Sequence, residues 1–582
     1  MKSYHAHRLS YFEKWAMIGL LVGVIAGLSS MAVYFALRLI EYIFLFRGAG
    51  ILLPVPIGEG GSIVFSYTGL RTYLLPIIAA SGAFISGILI RFSPNASGNG
   101  TDKTIEAFHY KHGKFDKFGW LVKLLASAFT IGTGGSAGRE GPEAFISAGL
   151  SSNISGILKI SPEDRRKIVA VALGAGIGTI FKSPIAGALL SAELLYRRDF
   201  EYEVIFPSLI ASAVGYIIFG LAVGYGPIFG IYIYTFSIYQ VPSFILLGLV
   251  CGAFAILYVK TMFGFERVFS RLKAPLAVRA AIGGLAVGII GMMFPEIISV
   301  GYGWMNLIML DKTYELVGLG LSPLLILILL PFLKILATSL TIGSGGSGGE
   351  FAPGIMIGGL VGSAFGVMLN LLSGGSSSLV PYAIIGMAAL FGAAANAPIS
   401  VMIMAIEMGG SIELLPPAML ASVVSYLIAW KFSLYHSQVT TRRDSPAHAQ
   451  EYSVPLLSTI KVEDISIKNV SVNLHSSVED AVAKMRSEGM ASIPVIDLND
   501  VFVGIVRLSD LNEAKTLSEK VIKGTPYIRP ESNLEQAWEA LASSRSSWVP
   551  VVKNGRFVGI ITVDEMLDGY KKFSRVVTSS HG

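Results

Sequence analysis

Residues 132 to 145 read GTGGSAGREGPEAF, which sets Arg139, Glu140 and Glu143 inside a glycine-rich stretch of a very apolar chain. A carboxylate at membrane depth is costly and is functional or paired by default. Next to an anion site, Glu140 would compete with the anion when ionised and withdraw when protonated, which makes a gate coupled to pH. The plainer reading is a salt bridge from Glu140 to Arg139 or Lys123. Glu143 reads as a cap on a helix start. Other residues able to do chemistry are sparse. The eight histidines are scattered and Cys251, alone in an apolar run, reads as a small core residue, so a disulfide, a cysteine metal site and a nucleophile with its base all lack residues. There is no P-loop, and neither an enzyme nor a bound metal is expected.

These acidic residues need a membrane around them, and the composition supplies one. Of 582 residues, 53% are hydrophobic and 14% charged, well under the charged share of soluble domains. Apolar runs at 15–39, 72–90, 204–224, 242–258 and 278–294 are near or above the roughly 20 residues that cross hydrocarbon. The first run is too long for a signal peptide and has no small-residue cleavage site, so it reads as a retained helix. Lys2, Arg8 and Lys14 before it, RRDFE at 197 to 201 and KFSLYHSQVTTRR at 431 to 443 put basic residues on the cytoplasmic side. The net charge of +6 follows from that topology and calls for no nucleic acid.

The membrane part is a repeat. WLVKLLASAFTIGTGGSAGREGP (120 to 142) aligns without a gap on PFLKILATSLTIGSGGSGGEFAP (331 to 353), with 11 of 23 positions identical. FKSPIAGALLSAE (181 to 193) then matches NAPISVMIMAIE (396 to 407), placing Pro184 on Pro398 and Glu193 on Glu407. Glycine and proline interrupting hydrophobic segments at matching places in two halves point to a transport site made of broken helices. A helix that begins within the membrane offers unpaired N–H groups and the positive end of its dipole, which suits an anion. Close helix packing is the alternative use of such glycines.

With GREGP (138 to 142), GGEFAP (348 to 353), FKSPIAG (181 to 187), NAPIS (396 to 400) and SLYHSQ (433 to 438), the chain resembles the CLC family of chloride channels and chloride/proton exchangers. The resemblance implies an all-α polytopic membrane protein built as an inverted repeat of broken helices. It also implies homodimers in which each subunit has its own path for chloride or a similar small anion, with voltage-gated members among them. Carried over by position, Glu140 is the gate. Backbone N–H groups of Arg139, Glu140, Gly141, Glu350, Phe351 and Ala352 hold anions, and the Tyr435 hydroxyl contacts the central one.

Three positions depart from the family. GNGTDK (98 to 103) puts Asn99 where a serine normally contacts the anion; its amide can also donate, but anion selectivity is left open. Exchangers carry two adjacent glutamates where this chain has Glu193 then Leu194, and leucine cannot relay a proton. The reading leans to proton-uncoupled or weakly coupled conduction. The alternative is a chloride/proton antiporter with another internal proton route, with Glu193 either on that route or structural. Glu350 would oppose anion entry unless paired, and Lys123 or Lys334 is the expected partner.

The domains expected are a transport domain at 1–442, a linker at 443–458, and two CBS domains at 459–515 and 516–582. The last two rest on a second repeat, SSVEDAVAKMRSEGMASIPVID…VFVGIVRLSDL against SNLEQAWEALASSRSSWVPVVK…RFVGIITVDEM. This resembles a tandem CBS pair, an α+β module that often binds adenine nucleotides. Arg507, Asp510, Thr562 and Glu565 are the candidate nucleotide contacts, a dimerisation module being the alternative; transport itself requires no cofactor. A proton-coupled organic-anion symporter is the reading from another class, but the path residues offer no clustered arginines for a carboxylate. The expected location is the plasma membrane, multi-pass among its lipids, with the CBS pair in the cytoplasm.

Overall fold

The structure, a computed structural model, describes residues 10–61, 63–67, 69–232, 234, 237–374, 378–448, 456–511, 514–544 and 547–579. Lys2, Arg8 and the middle of the expected linker lie outside the described residues. The chain divides into two units, Met1–His448 and Ala449–Gly582.

Among the described residues, eight helical stretches are long and apolar enough to cross a membrane. They are Tyr11–Ala49, Arg71–Phe92, Tyr202–Val223, Ile238–Arg271, Leu276–Met293, Pro323–Gly343, Phe351–Ser373 and Ile412–Ala429. The first helix starts earlier than its apolar run. Ser10 and Glu13 close a capping box there, so Lys14 falls inside the helix and pairs with Asp164 at 2.7 Å. The basic clusters around 197 and 439 meet in space, since Arg197 N–H donates to Val439 O at 2.9 Å. The first unit runs on to His448, because Arg442 and His448 both reach the buried carboxylate of Glu201.

Shorter helices fill the interior in matching order. Gly119–Gly132, Glu140–Ile157, Pro162–Ile180 and Pro184–Glu193 in the first half correspond to Pro323–Gly343, Phe351–Ser373, Val380–Ala394 and Pro398–Gly409 in the second. The chain turns out of the first helix of each set at Gly134 and Gly345, with φ of 110° and 102°, a region glycine enters without steric cost. Prolines 142, 184, 353 and 398 sit in first turns, where the missing N–H is no loss. The two halves also bond reciprocally: Ser136 N–H donates to Thr341 Oγ1 at 3.0 Å, and Ser347 N–H to Thr130 Oγ1 at 3.2 Å. Cys251 is fully buried in this core.

The second unit contains two related sheets. Val472–Asn473 runs parallel to Ser492–Ile496, which pairs antiparallel with Phe502–Arg507. Trp548–Lys553 pairs antiparallel with Arg556–Thr562, and Ile528 bridges Val551 in parallel. Each repeat lends a residue to the other's sheet, Lys468 bridging Ile560 and Ile522 bridging Ile505. Helices Val478–Ser487 and Leu534–Ser544 cover the sheets through buried Met485 and Leu541.

Candidate functional site

Three helix starts converge inside the first unit: Asn99 caps Gly100–Tyr110, while Arg139 and Glu350 precede Glu140–Ile157 and Phe351–Ser373. The loops leading to them are stitched together. Gly138 N–H donates to Gly349 O and Gly349 N–H to Gly138 O, both at 2.8 Å, and Gly348 N–H reaches Gly98 O at 3.3 Å. The approach is close enough that a Cβ on Gly141 would lie 2.7 Å from Gly349 Cα. Each start leaves its first N–H groups without intrahelical acceptors and adds a positive dipole end. Arg139, Glu140 and Gly141 thus stand beside Glu350, Phe351 and Ala352, and together these starts make an electropositive centre suited to an anion.

Glu140 lies within that centre and is fully buried. Its Oε1 accepts from the Tyr302 hydroxyl at 3.3 Å, and its Oε2 has no protein partner. That oxygen lies against the Gly138 backbone, where an added Cβ would be 2.2 Å away. The salt bridge considered from sequence is absent. Arg139 instead binds both oxygens of Glu59, from the short turn Ile57–Glu59, with Nη1 to Oε2 at 3.3 Å. Lys123 donates to the carbonyls of Ala96 and Gly98 at 3.1 and 2.6 Å, and Lys334 to those of Ile297 and Ser299 at 2.8 and 2.9 Å.

Those lysine bonds also correct the expected pairing of Glu350. Its partner is Asn99, whose Nδ2 donates to Glu350 Oε2 at 2.9 Å while its Oδ1 caps Thr101 N–H at 3.0 Å. One side chain thereby ties the first helix start to the third. Tyr435 is fully buried and its hydroxyl has no protein partner. A buried O–H of this kind is a group prepared for a ligand or ordered water. Glu143 does not cap its helix; its Oε1 accepts from the Ser29 hydroxyl at 2.5 Å on Tyr11–Ile40.

Glu193 accepts from Ile399 N–H at 3.1 Å and from Ser400 N–H and hydroxyl at 2.7 and 2.5 Å, so both oxygens cap Pro398–Gly409. Leu194 beside it is fully buried. In the second unit, Thr562 and Glu565 bond to one another and Lys468 pairs with Glu565 at 3.2 Å, while Arg507 is exposed and Asp510 accepts from Ser509. A cavity of about 580 Å³ in this unit is lined by Tyr527, Arg529, Gln536 and Lys553 among others, and by none of those four candidates.

Sequence reasoning missed Glu59, Tyr302 and Trp304. Glu59 arrives from a loop 80 residues before Arg139 and Tyr302 from a short helix 162 residues after Glu140, and neither belongs to an aligned repeat segment.

Comparison with known proteins agrees with this architecture. The family described as voltage gated chloride channel matches residues 81–430, and the CBS domain matches 462–516 and 518–572. The uncharacterized protein MJ0305 of Methanocaldococcus jannaschii is 31% identical over 71% of this chain and 92% of its own. The voltage-gated ClC-type chloride channel ClcB of Salmonella typhi is 28% identical over 71% of this chain and 95% of its own. The fold is shared with a slow cyanobacterial Cl-/H+ antiporter, at a TM-score of 0.57 and 24% identity, over 71% of this chain and 93% of that one. On the family match across most of the membrane unit, together with the stitched helix starts around Glu140, this chain belongs to the voltage-gated chloride channel family and carries a pair of CBS domains.

Proposed function

We propose that the protein moves chloride across the plasma membrane as a homodimer, through one path per subunit gated by Glu140. The observation that carries this reading is the buried Glu140 carboxyl held among two stitched helix starts, with an unpartnered Tyr435 hydroxyl buried in the same unit. The N–H groups of residues 139–141 and 350–352 line the path. Transport is uncoupled from protons or weakly coupled, because Leu194 relays no proton and Glu193 has both oxygens engaged as a helix cap. The basic residues gathered around 197 and 439 set the cytoplasmic face, and the CBS pair lies on that side. There the pair offers a site for an adenine nucleotide, or serves as a dimerisation module, and transport itself requires no cofactor.

A chloride/proton antiporter is the second reading. It is favoured by Glu143, a fully buried carboxyl with one oxygen unpartnered and no cation paired with it, three residues along the same helix from the gate. Chloride efflux from liposomes, recorded with external pH, separates the two. Chloride that moves without protons supports uncoupled conduction; chloride that drives protons uphill establishes exchange. The Glu140→Ala variant should conduct with its pH dependence lost, and a variant that is simply dead argues against a gate.

A further inference from the structure

A cavity of about 40 Å³ borders the gate and is not part of the path described above. That is room for a few water-sized bodies. Its wall includes Arg38, Glu59, Arg139, Tyr302 and Trp304. Tyr302 is the residue that holds Glu140, and Arg139 is its neighbour in sequence, so the cavity touches the gate from two elements. It lies at the end of Tyr11–Ile40 remote from Lys14; 30 residues of helix span about 45 Å, so this is the far face of the membrane unit from the Lys14–Asp164 pair. Leu37 and Arg38 of that helix line the cavity, and the chain passes into π-helical turns at the next wall residue, Glu41.

The wall is rich in donors that the protein leaves unused. Arg139 and Trp304 are 4% and 2% exposed, yet Arg139 Nε and Trp304 Nε1 have no protein partner. Buried N–H groups are nearly always bonded, so orphan donors on two residues that line one small cavity point to an acceptor there. Two cations stand on the wall: Arg38 lies 3.6 Å from Glu59, and Arg139 binds Glu59 with both terminal nitrogens. Two carboxylates oppose them, Glu59 and Glu41, and Glu41 is itself bound by Arg38 at 3.1 Å and by the Ser299 hydroxyl at 2.7 Å. On the wall itself the two arginines are matched by Glu41 and Glu59, so what distinguishes the cavity is its two donors without a protein partner.

We propose that this cavity is an outer binding site for a small inorganic anion, lined by Arg139 Nε and Trp304 Nε1, and that Glu59 limits its occupancy. An anion there waits beside the gate rather than in bulk water. Glu59 pairs with both arginines at once and so keeps the site from holding its anion too tightly, since conduction requires an anion that can leave. The proposal rests on the anion path through Glu140 and adds a station to it.

The test is bromide soaked into crystals of the full chain and located by anomalous scattering, for the wild type, Trp304→Phe and Glu59→Gln. Trp304→Phe keeps an aromatic ring beside Phe65, whose centroid lies 4.7 Å from that of Trp304, and removes the donor together with part of the indole. The expected result is a bromide peak beside Arg139 Nε and Trp304 Nε1, lost in Trp304→Phe and retained or stronger in Glu59→Gln. In liposomes, the chloride concentration for half-maximal flux entering from this face should rise about tenfold in Trp304→Phe, the worth of one hydrogen bond to a charged group. Peaks near Glu140 and Tyr435 with none in the cavity overturn the outer site and leave the path standing. No peak anywhere in the membrane unit overturns the path itself. A cavity peak that Trp304→Phe leaves at full height is an adventitious ion only, and overturns the assignment. Should Glu59→Gln not fold, the wild-type and Trp304→Phe crystals decide the matter alone.

Discussion

Glu193 caps the helix that carries Glu407, and Glu407 caps the helix that carries Glu193. Glu193 takes Ile399 and Ser400 N–H at 3.1 and 2.7 Å, and Glu407 takes Ile185 and Ala186 N–H at 3.2 and 2.9 Å. The exchange is the internal repeat expressed as chemistry: each half supplies the acceptor that the other half's broken helix lacks.

Removing either cap should therefore cost similar stability. Glu193→Ala and Glu407→Ala each leave N–H groups unpaired at a helix start, a loss of about 0.5–2 kcal/mol per cap. Apparent melting temperatures in detergent should fall by comparable amounts, with the Gln variants milder. If Glu193 were instead a proton relay, Glu193→Ala would change the proton-to-chloride ratio while Glu407→Ala would not, which the liposome assay reads directly.

The hydrogen bond from Tyr302 to Glu140 holds the gate where it is. A net hydrogen bond is worth about 1 kcal/mol, so its loss in Tyr302→Phe should favour the open gate about fivefold. Chloride flux near neutral pH should rise, and in Glu140→Ala the further change Tyr302→Phe should have no effect, since its acceptor is gone.

Much of this site was legible because broken helices leave strong marks. A glycine run, then a proline in the first turn, recurs at residues 132–142 and 343–353, and the two stretches do pair across the structure. The partners of the charged residues were not legible. Lys123 and Lys334 align in sequence and invited ion pairs, yet both serve carbonyls, because a fully buried ammonium must be hydrogen-bonded and the loop C=O groups of Ala96, Gly98, Ile297 and Ser299 are the acceptors within reach. Glu59 sits in a glycine-rich turn whose sequence carries no sign that it folds onto Arg139. Repeats and termini are local patterns; salt bridges between distant loops are not.

Asn99 and Glu350 should behave as one unit. Asn99→Ala strands a carboxyl that is 4% exposed, a larger penalty than losing both groups together. The double variant Asn99→Ala, Glu350→Leu should be more stable than Asn99→Ala alone, with a coupling of about 0.5–3 kcal/mol in a double-mutant cycle. Asn99→Ser alone should recover little, because its shorter side chain no longer reaches Glu350. Additive effects in the cycle would show that the pair is incidental.

The last prediction concerns pH in the second unit. Burial alone would push the Glu565 carboxyl up, but the hydroxyl and N–H of Thr562 and the charge of Lys468 outweigh it and hold the group below the usual carboxylate range. A lowered value in the folded state adds stability at every pH above the unfolded value of about 4.3, and that stability is lost as pH falls through the folded value. Glu565→Gln should therefore weaken hydrogen-exchange protection across Arg556–Thr562 in the full chain at neutral pH. The difference from wild type should shrink steadily once the pH is below about 4. A difference that persists unchanged to acid would mean that Glu565 acts through its shape as a cap and not through its charge.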